Sequence, residues 1–115
     1  KPLNQSLAPT NVNGVNMMVP TNDWVHTGTT HGHDYEPWVA GAMRQILKPG
    51  DVFVDVGANI GVHTMLGAQL VGPAGRVYAI EASIEVASIL LTNARSTGLE
   101  NIFVVPAAVT DRRRE

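Results

Sequence analysis

Cysteine is absent, so no disulfide and no thiolate metal site can form, and the redox compartment is left open. No apolar run approaches the roughly 18 residues that a membrane span needs. No basic-then-apolar segment opens the chain as a secretory signal would, and a cytoplasmic location is the expectation. Positive charge is scarce as well. Up to Asp111 the sequence holds five basic residues against nine acidic ones, and only Arg112, Arg113 and Arg114 bring the whole chain to −2. A body of that charge is a poor electrostatic match for nucleic acid, so no nucleic-acid partner is expected. Repeats and low-complexity tracts are missing too. What remains is 44 % hydrophobic and 16 % charged, a globular composition, and 115 residues make one domain at most. The first residue is Lys1 rather than Met, which suggests processing, cloning or a fragment.

Two parts differ in texture. Residues 1–34 are rich in Asn and Thr and read as an irregular N-terminal arm, with short strands expected at 15–19 and at Trp24-Val25 and a loop over 27–34. From 35 to 115 the pattern is regular. Pro37 suits the first position of a helix, with Val39, Met43, Ile46 and Leu47 at helical spacing and Pro49-Gly50 as the stop. Residues 52–56 are apolar on both faces, as in a buried parallel strand. Val62, Met65, Leu66 and Leu70 form a helical stripe, and residues 77–80 form a second strand. Ser83 caps a further helix with Glu85 in its first turn and Ile84, Ala87, Leu91 and Ala94 on one face; residues 102–105 complete a third strand.

The strands begin near 52, 77 and 102. Such a rhythm of strand, helix and strand needs parallel pairing, because the crossovers are too long for hairpins. The fold class is therefore α/β: a Rossmann-like parallel sheet whose three strands lie in the order 3-2-1, with the first strand at an edge.

Ligands of such sheets bind at the carboxyl ends of the strands. Three features fall there: Asp55, the turn Gly57-Ala58-Asn59-Ile60-Gly61, and Glu81. Gly57 permits a sharp bend and close backbone approach, and Gly61 lets the next helix pack close to the strand. The free N–H groups at that helix start suit an anion. Glu81, 24 residues after Gly57, is placed to accept both hydroxyls of a ribose. These features point to a nucleoside cofactor. A dinucleotide fingerprint fails at Asn59 and Val62, and Asp55 is unwelcome beside a pyrophosphate. A carboxylate there suits an ammonium or a sulfonium, which points to S-adenosylmethionine.

The runs Phe53-Val54-Asp55-Val56-Gly57-Ala58-Asn59-Ile60-Gly61-Val62-His63-Thr64, Gly75-Arg76-Val77-Tyr78-Ala79-Ile80-Glu81-Ala82 and Val105-Pro106-Ala107-Ala108-Val109 resemble the FkbM family of S-adenosylmethionine-dependent methyltransferases. Tyr35-Glu36-Pro37 and Leu47-Lys48-Pro49-Gly50-Asp51 are similar to it as well. The resemblance implies that Asp55 and the loop of Gly57, Ala58, Asn59 and Gly61 hold the methionine part of the cofactor, with His63 and Thr64 near its carboxylate. It implies Glu81 on the ribose, Ala82 on the adenine plane, Ala107 and Ala108 at the adenine edge, and Glu36 reaching the pocket. It further implies methyl transfer to a hydroxyl oxygen of a small molecule or glycan. A methyltransferase sheet of this class has seven strands, so this chain carries the first three. Its apolar strand edge is expected to mark a fragment or split product, or to pair with another copy.

Other readings stand beside this one. The chain can be a non-catalytic cofactor-binding or assembly module, or, less favoured, a nicotinamide-dependent oxidoreductase. No general base is identified. His63 reads better as a packing or hydrogen-bonding residue than as a catalyst. His31 and His33 in a Gly/Thr loop lack further ligands, so no metal is expected. Trp24 and Trp38 read as packing residues, and Arg112 to Arg114 as a solvated end.

Overall fold

A computed structural model describes residues 6–23, 25, 28–29 and 31–113. Its elements run β1 (Leu7–Val12), β2 (Val15–Pro20), α1 (Pro37–Ile46), β3 (Val52–Val56), α2 (Val62–Val71), β4 (Arg76–Ile80), α3 (Ile84–Ser96) and β5 (Ile102–Val105).

The arm expected to be irregular is instead a β-hairpin. β1 and β2 pair antiparallel, from Leu7 opposite Pro20 to Val12 opposite Val15. The turn is Asn13-Gly14, with φ of 52° and 85°. Positive φ at both central residues matches the twist of a two-residue hairpin, and Asn-Gly is the pair that tolerates it. β2 alternates, burying Val15, Met17 and Val19 while Asn16 stays exposed. The strand expected at Trp24-Val25 is not formed by Val25, which is helical, as are residues 28–29; Trp24, Thr27 and Thr30 lie outside the described residues.

The main sheet is parallel, in the order β3-β4-β5, with Val52 opposite Arg76 and Val77 opposite Ile102. Phe53, Val77, Ala79, Ile102 and Val104 share the face that the helices cover. The expected burial of β3 on both faces does not hold. Val52, Val54 and Val56 are 52–60 % exposed, and Phe103 joins them on the same open face. Register explains it: residues 52, 54 and 56 point to the face opposite Phe53, away from α1, α2 and α3.

α2 is buried nearly all round, because it lies between the sheet, α1 and β2. A Cβ on its Gly67 would stand 2.4 Å from the Phe53 ring, so this glycine sets the helix–strand distance. The close approach expected of Gly61 goes elsewhere: its Cβ would meet Leu90 Cδ1 at 2.7 Å and Met65 Cε at 3.0 Å, both on helices. The apolar face of α3 is also rotated from expectation. Ser83 does cap it, accepting from the Val86 N–H at 3.3 Å. Ile84 and Leu91 are exposed, however, and the buried face is Ala87, Ile89, Leu90, Asn93 and Ala94. Asn93 belongs there because its amide is fully used. It accepts from Met18 N–H at 2.7 Å and donates to the carbonyls of Met18 at 3.0 Å and Ile60 at 2.9 Å.

Candidate functional site

The chain leaves β3 at Gly57, whose φ of 71° a side chain would disfavour. The N–H groups of Gly57 and Ala58 both donate to the Ile80 carbonyl, at 2.9 and 3.0 Å. The bend is thereby tied to the end of β4. Asn59 follows at φ 55°, and Gly61, at φ 104°, begins α2 with no side chain capping its first N–H groups.

Two hollows meet at Val56 and Gly57. The first, about 170 Å³, is lined by Tyr35, Glu36, Asp55, Asn59 and His63, with Ala58 and Ile60 behind them. The second, about 250 Å³, is lined by Ile80, Glu81, Ala82, Ala107, Ala108 and Val109. A larger cavity, about 450 Å³, lies at the opposite end of the sheet among Pro73, Arg76, Glu100 and Phe103. Its polar lining comprises loop backbone, Arg76 and Glu100 at the surface and the buried Asn101, and none of the expected site residues reaches it.

Asp55 is half-buried, and its carboxylate accepts from the Thr64 hydroxyl at 2.7 Å. Burial pushes its pKa above the ordinary carboxylate value; the Thr64 bond and His63 oppose that shift, and Glu81 adds to it. Glu36 Oε1 stands 2.8 Å from His63 Nε2, and the His63 ring lies 5.4 Å from that of Tyr35. Burial, with Glu36 beside it, raises the Tyr35 phenol above its usual value. Glu81 uses both oxygens on backbone: Oε1 accepts from Asn59 N–H and Oε2 from Ser83 N–H, each at 2.9 Å. Each oxygen keeps a second lone pair for a ligand.

Ten of the twelve expected residues line the two hollows. Thr64 and Gly61 do not: Thr64 works through Asp55, and Gly61 through its packing against Leu90 and Met65. Two residues that carry the site were not singled out in the sequence. Asn93 pins the glycine loop through Ile60, and Asn13 grips the backbone of Tyr35. The Asn13-Gly14 pair was the available signal for the second; a lone Asn in a helix gives none for the first. Among the described residues, no group of three or more His, Asp or Glu side chains is placed to hold a metal, and no helix is long and apolar enough to cross a membrane.

The family model for protein-L-isoaspartate(D-aspartate) O-methyltransferase matches residues 29–111. The chain belongs to this family. A protein-L-isoaspartate O-methyltransferase of Aeropyrum pernix is 42 % identical over 71 residues, covering 60 % of this chain and 27 % of that protein. One from Methanopyrus kandleri is 34 % identical over 71 residues, covering 60 % of this chain and 31 % of its own length. The chain therefore spans about a quarter to a third of these relatives. Among solved structures, a protein-L-isoaspartate O-methyltransferase matches with a TM-score of 0.60 at 22 % identity, over 65 % of this chain and 24 % of that one. The M. jannaschii TYW2 structure in complex with AdoMet matches with a TM-score of 0.67 at 21 % identity, over 90 % and 44 %. Those two likenesses carry the fold. The matches place the chain in the protein-L-isoaspartate O-methyltransferase family, not in the FkbM family that its motifs resemble, though both are S-adenosylmethionine-dependent methyltransferases.

Proposed function

We propose that the paired hollows form the cofactor half of an S-adenosylmethionine-dependent methyltransferase whose acceptor is a carboxylate on a protein, at isoaspartyl residues. The observation that carries this is the placement of two carboxylates, Asp55 and Glu81, on either side of one glycine bend.

The residues fit such a cofactor. Nothing stands within 4 Å of the position a Cβ would take on Gly57, so the backbone there is open to a ligand. Glu81 retains acceptor capacity for a ribose diol, and Ala82, Ala107 and Ala108 leave a small-residue slot beside it for a flat base. Asp55 and Glu36 offer negative charge to the cationic methionine end, and the uncapped start of α2 offers N–H donors to its carboxylate. The bound cofactor would supply an activated methyl group on sulfonium. The work of the chain is then to hold and aim, a contribution worth about 7–11 kcal/mol in favourable intramolecular cases.

A carboxylate acceptor also suits the chemistry of the pocket. A hydroxyl would call for a general base. His63 is the nearest candidate, but its Nε2 is engaged with Glu36 and its Nδ1 is buried. A carboxylate, with a pKa near 4, is already ionised at neutral pH and asks for no proton removal. This is why the isoaspartyl acceptor, which the family's name specifies, is favoured over a glycan or small-molecule hydroxyl.

Titration calorimetry with S-adenosylmethionine, S-adenosylhomocysteine and NAD tests the cofactor class. Binding of the first two without NAD is expected; heat from NAD alone would overturn the assignment. Methyl transfer from labelled cofactor by the full-length protein, offered an isoaspartyl peptide and a sugar, then tests the acceptor. Labelling of the sugar alone would refute the carboxylate reading.

A further inference from the structure

The hairpin precedes the segment that the family model matches, yet it grips one wall of the first hollow. Asn13 is buried in the hairpin turn. Its side chain brackets a single residue, accepting from Tyr35 N–H at 2.9 Å and donating to the Tyr35 carbonyl at 2.6 Å. The Arg44 guanidinium of α1 donates to the Asn13 carbonyl at 3.0 Å, so the turn is itself held in place. The next residue, Glu36, sits at φ 42° and ψ 60°, a left-handed conformation that is uncommon for a residue with a long side chain. Its carboxylate meets His63 at 2.8 Å on the rim of the hollow that also holds Asp55.

We propose that Asn13 is a positioning residue for the methionine end of the cofactor: by clamping Tyr35 it fixes Glu36 in its left-handed conformation and so holds the Glu36 carboxylate against His63, facing the hollow. The inference rests on the cofactor reading above. In a hollow of about 170 Å³, a carboxylate that swings away alters both the charge and the shape presented to a ligand. The second hollow has no such dependence. Its walls, residues 80–82 and 107–109, are tied to the Gly57–Asn59 bend, β5 and the start of α3, and among the described residues none of these hydrogen bonds involves Asn13.

The test compares two ligands on the same protein. S-adenosylmethionine occupies both hollows, whereas 5′-methylthioadenosine lacks the amino-acid end and occupies the second. Asn13→Gly removes the clamp, and glycine accepts the φ of 52° without strain. The expected result is an affinity for S-adenosylmethionine lowered about tenfold, with that for 5′-methylthioadenosine within about twofold of wild type. Glu36→Gln should give the same one-sided loss, and the double variant should lose little more than the worse single one, because the two act in series. Equal weakening of both ligands, or no change in either, would overturn the proposal. If circular dichroism shows Asn13→Gly unfolded, Asn13→Asp takes its place; it keeps the acceptor for Tyr35 N–H but loses the donor, and the same criterion applies to it. Failure of the wild-type chain to bind either ligand would instead strike the cofactor reading, and this inference with it.

Discussion

The two hollows that share Gly57 are built in different ways. The second is assembled from neighbours in a regular αβ repeat: the end of β4, the end of β5 and the loops that follow them. Its one charged group, Glu81, is anchored by backbone N–H groups of Asn59 and Ser83. The first gathers residues from distant parts of the chain, from Tyr35 and Glu36 through Asp55 to His63, and it borrows rigidity from the hairpin through Asn13 and Asn93. Local repeats therefore suffice to build the proposed nucleoside seat, while the proposed seat for a charged amino-acid end depends on tertiary contacts that can fail one at a time.

That contrast can be broken most strongly at Asn93. Asn93→Ala would leave Met18 N–H, Met18 carbonyl and Ile60 carbonyl without their partners in a buried site. Unmet buried groups cost about 1–3 kcal/mol each and are not fully additive, so a loss of about 3–5 kcal/mol is expected in urea denaturation. Next is Glu81→Ala, which removes the proposed ribose acceptor together with two backbone ties. Calorimetry should show adenosine affinity lowered about 10- to 100-fold, corresponding to one or two hydrogen bonds to a charged group; unchanged affinity would mean that Glu81 serves only the loop.

A pH series sharpens the comparison at Asp55. Its folded pKa is raised, so the folded state binds its proton more tightly than the unfolded chain. The destabilisation is absent below the ordinary carboxylate pKa, grows as pH rises through it, and is complete above the raised folded value. Asp55→Asn should therefore gain stability relative to wild type on going from acid to neutral pH, measured by urea midpoints, while losing affinity for S-adenosylmethionine. In the wild type that affinity should rise with pH over the same window, as the carboxylate ionises. The smallest effect is expected from Thr64→Val. Loss of its 2.7 Å bond to Asp55 should cost about 1–2 kcal/mol in denaturation and move the Asp55 titration, read by NMR, further upward.

Legibility in the sequence followed the same division. The order of strands and helices, the Ser83 cap and the parallel sheet were readable, because 2.0- and 3.6-residue periods and glycine stops act over short distances. The rotated face of α3 was not, since Asn93 is polar by composition and buried only because Met18 and Ile60 arrive from elsewhere. The open face of β3 was misread for a related reason. Val52, Val54 and Val56 are as apolar as Phe53, and the pattern alone does not tell which of two apolar faces a helix covers. The hairpin was announced by Asn13-Gly14, but the composition around it suggested irregular chain.

By itself the sequence determined the αβ rhythm, the glycine bend and the two acids at strand ends, because each is a local consequence of backbone stereochemistry and residue spacing. Only the tertiary structure decided that Glu36 meets His63, that Asn13 holds Tyr35, and that Asp55 lies where burial resists its ionisation. Such contacts join residues 22 to 27 positions apart, and their geometry comes from how whole elements pack rather than from any pattern within one.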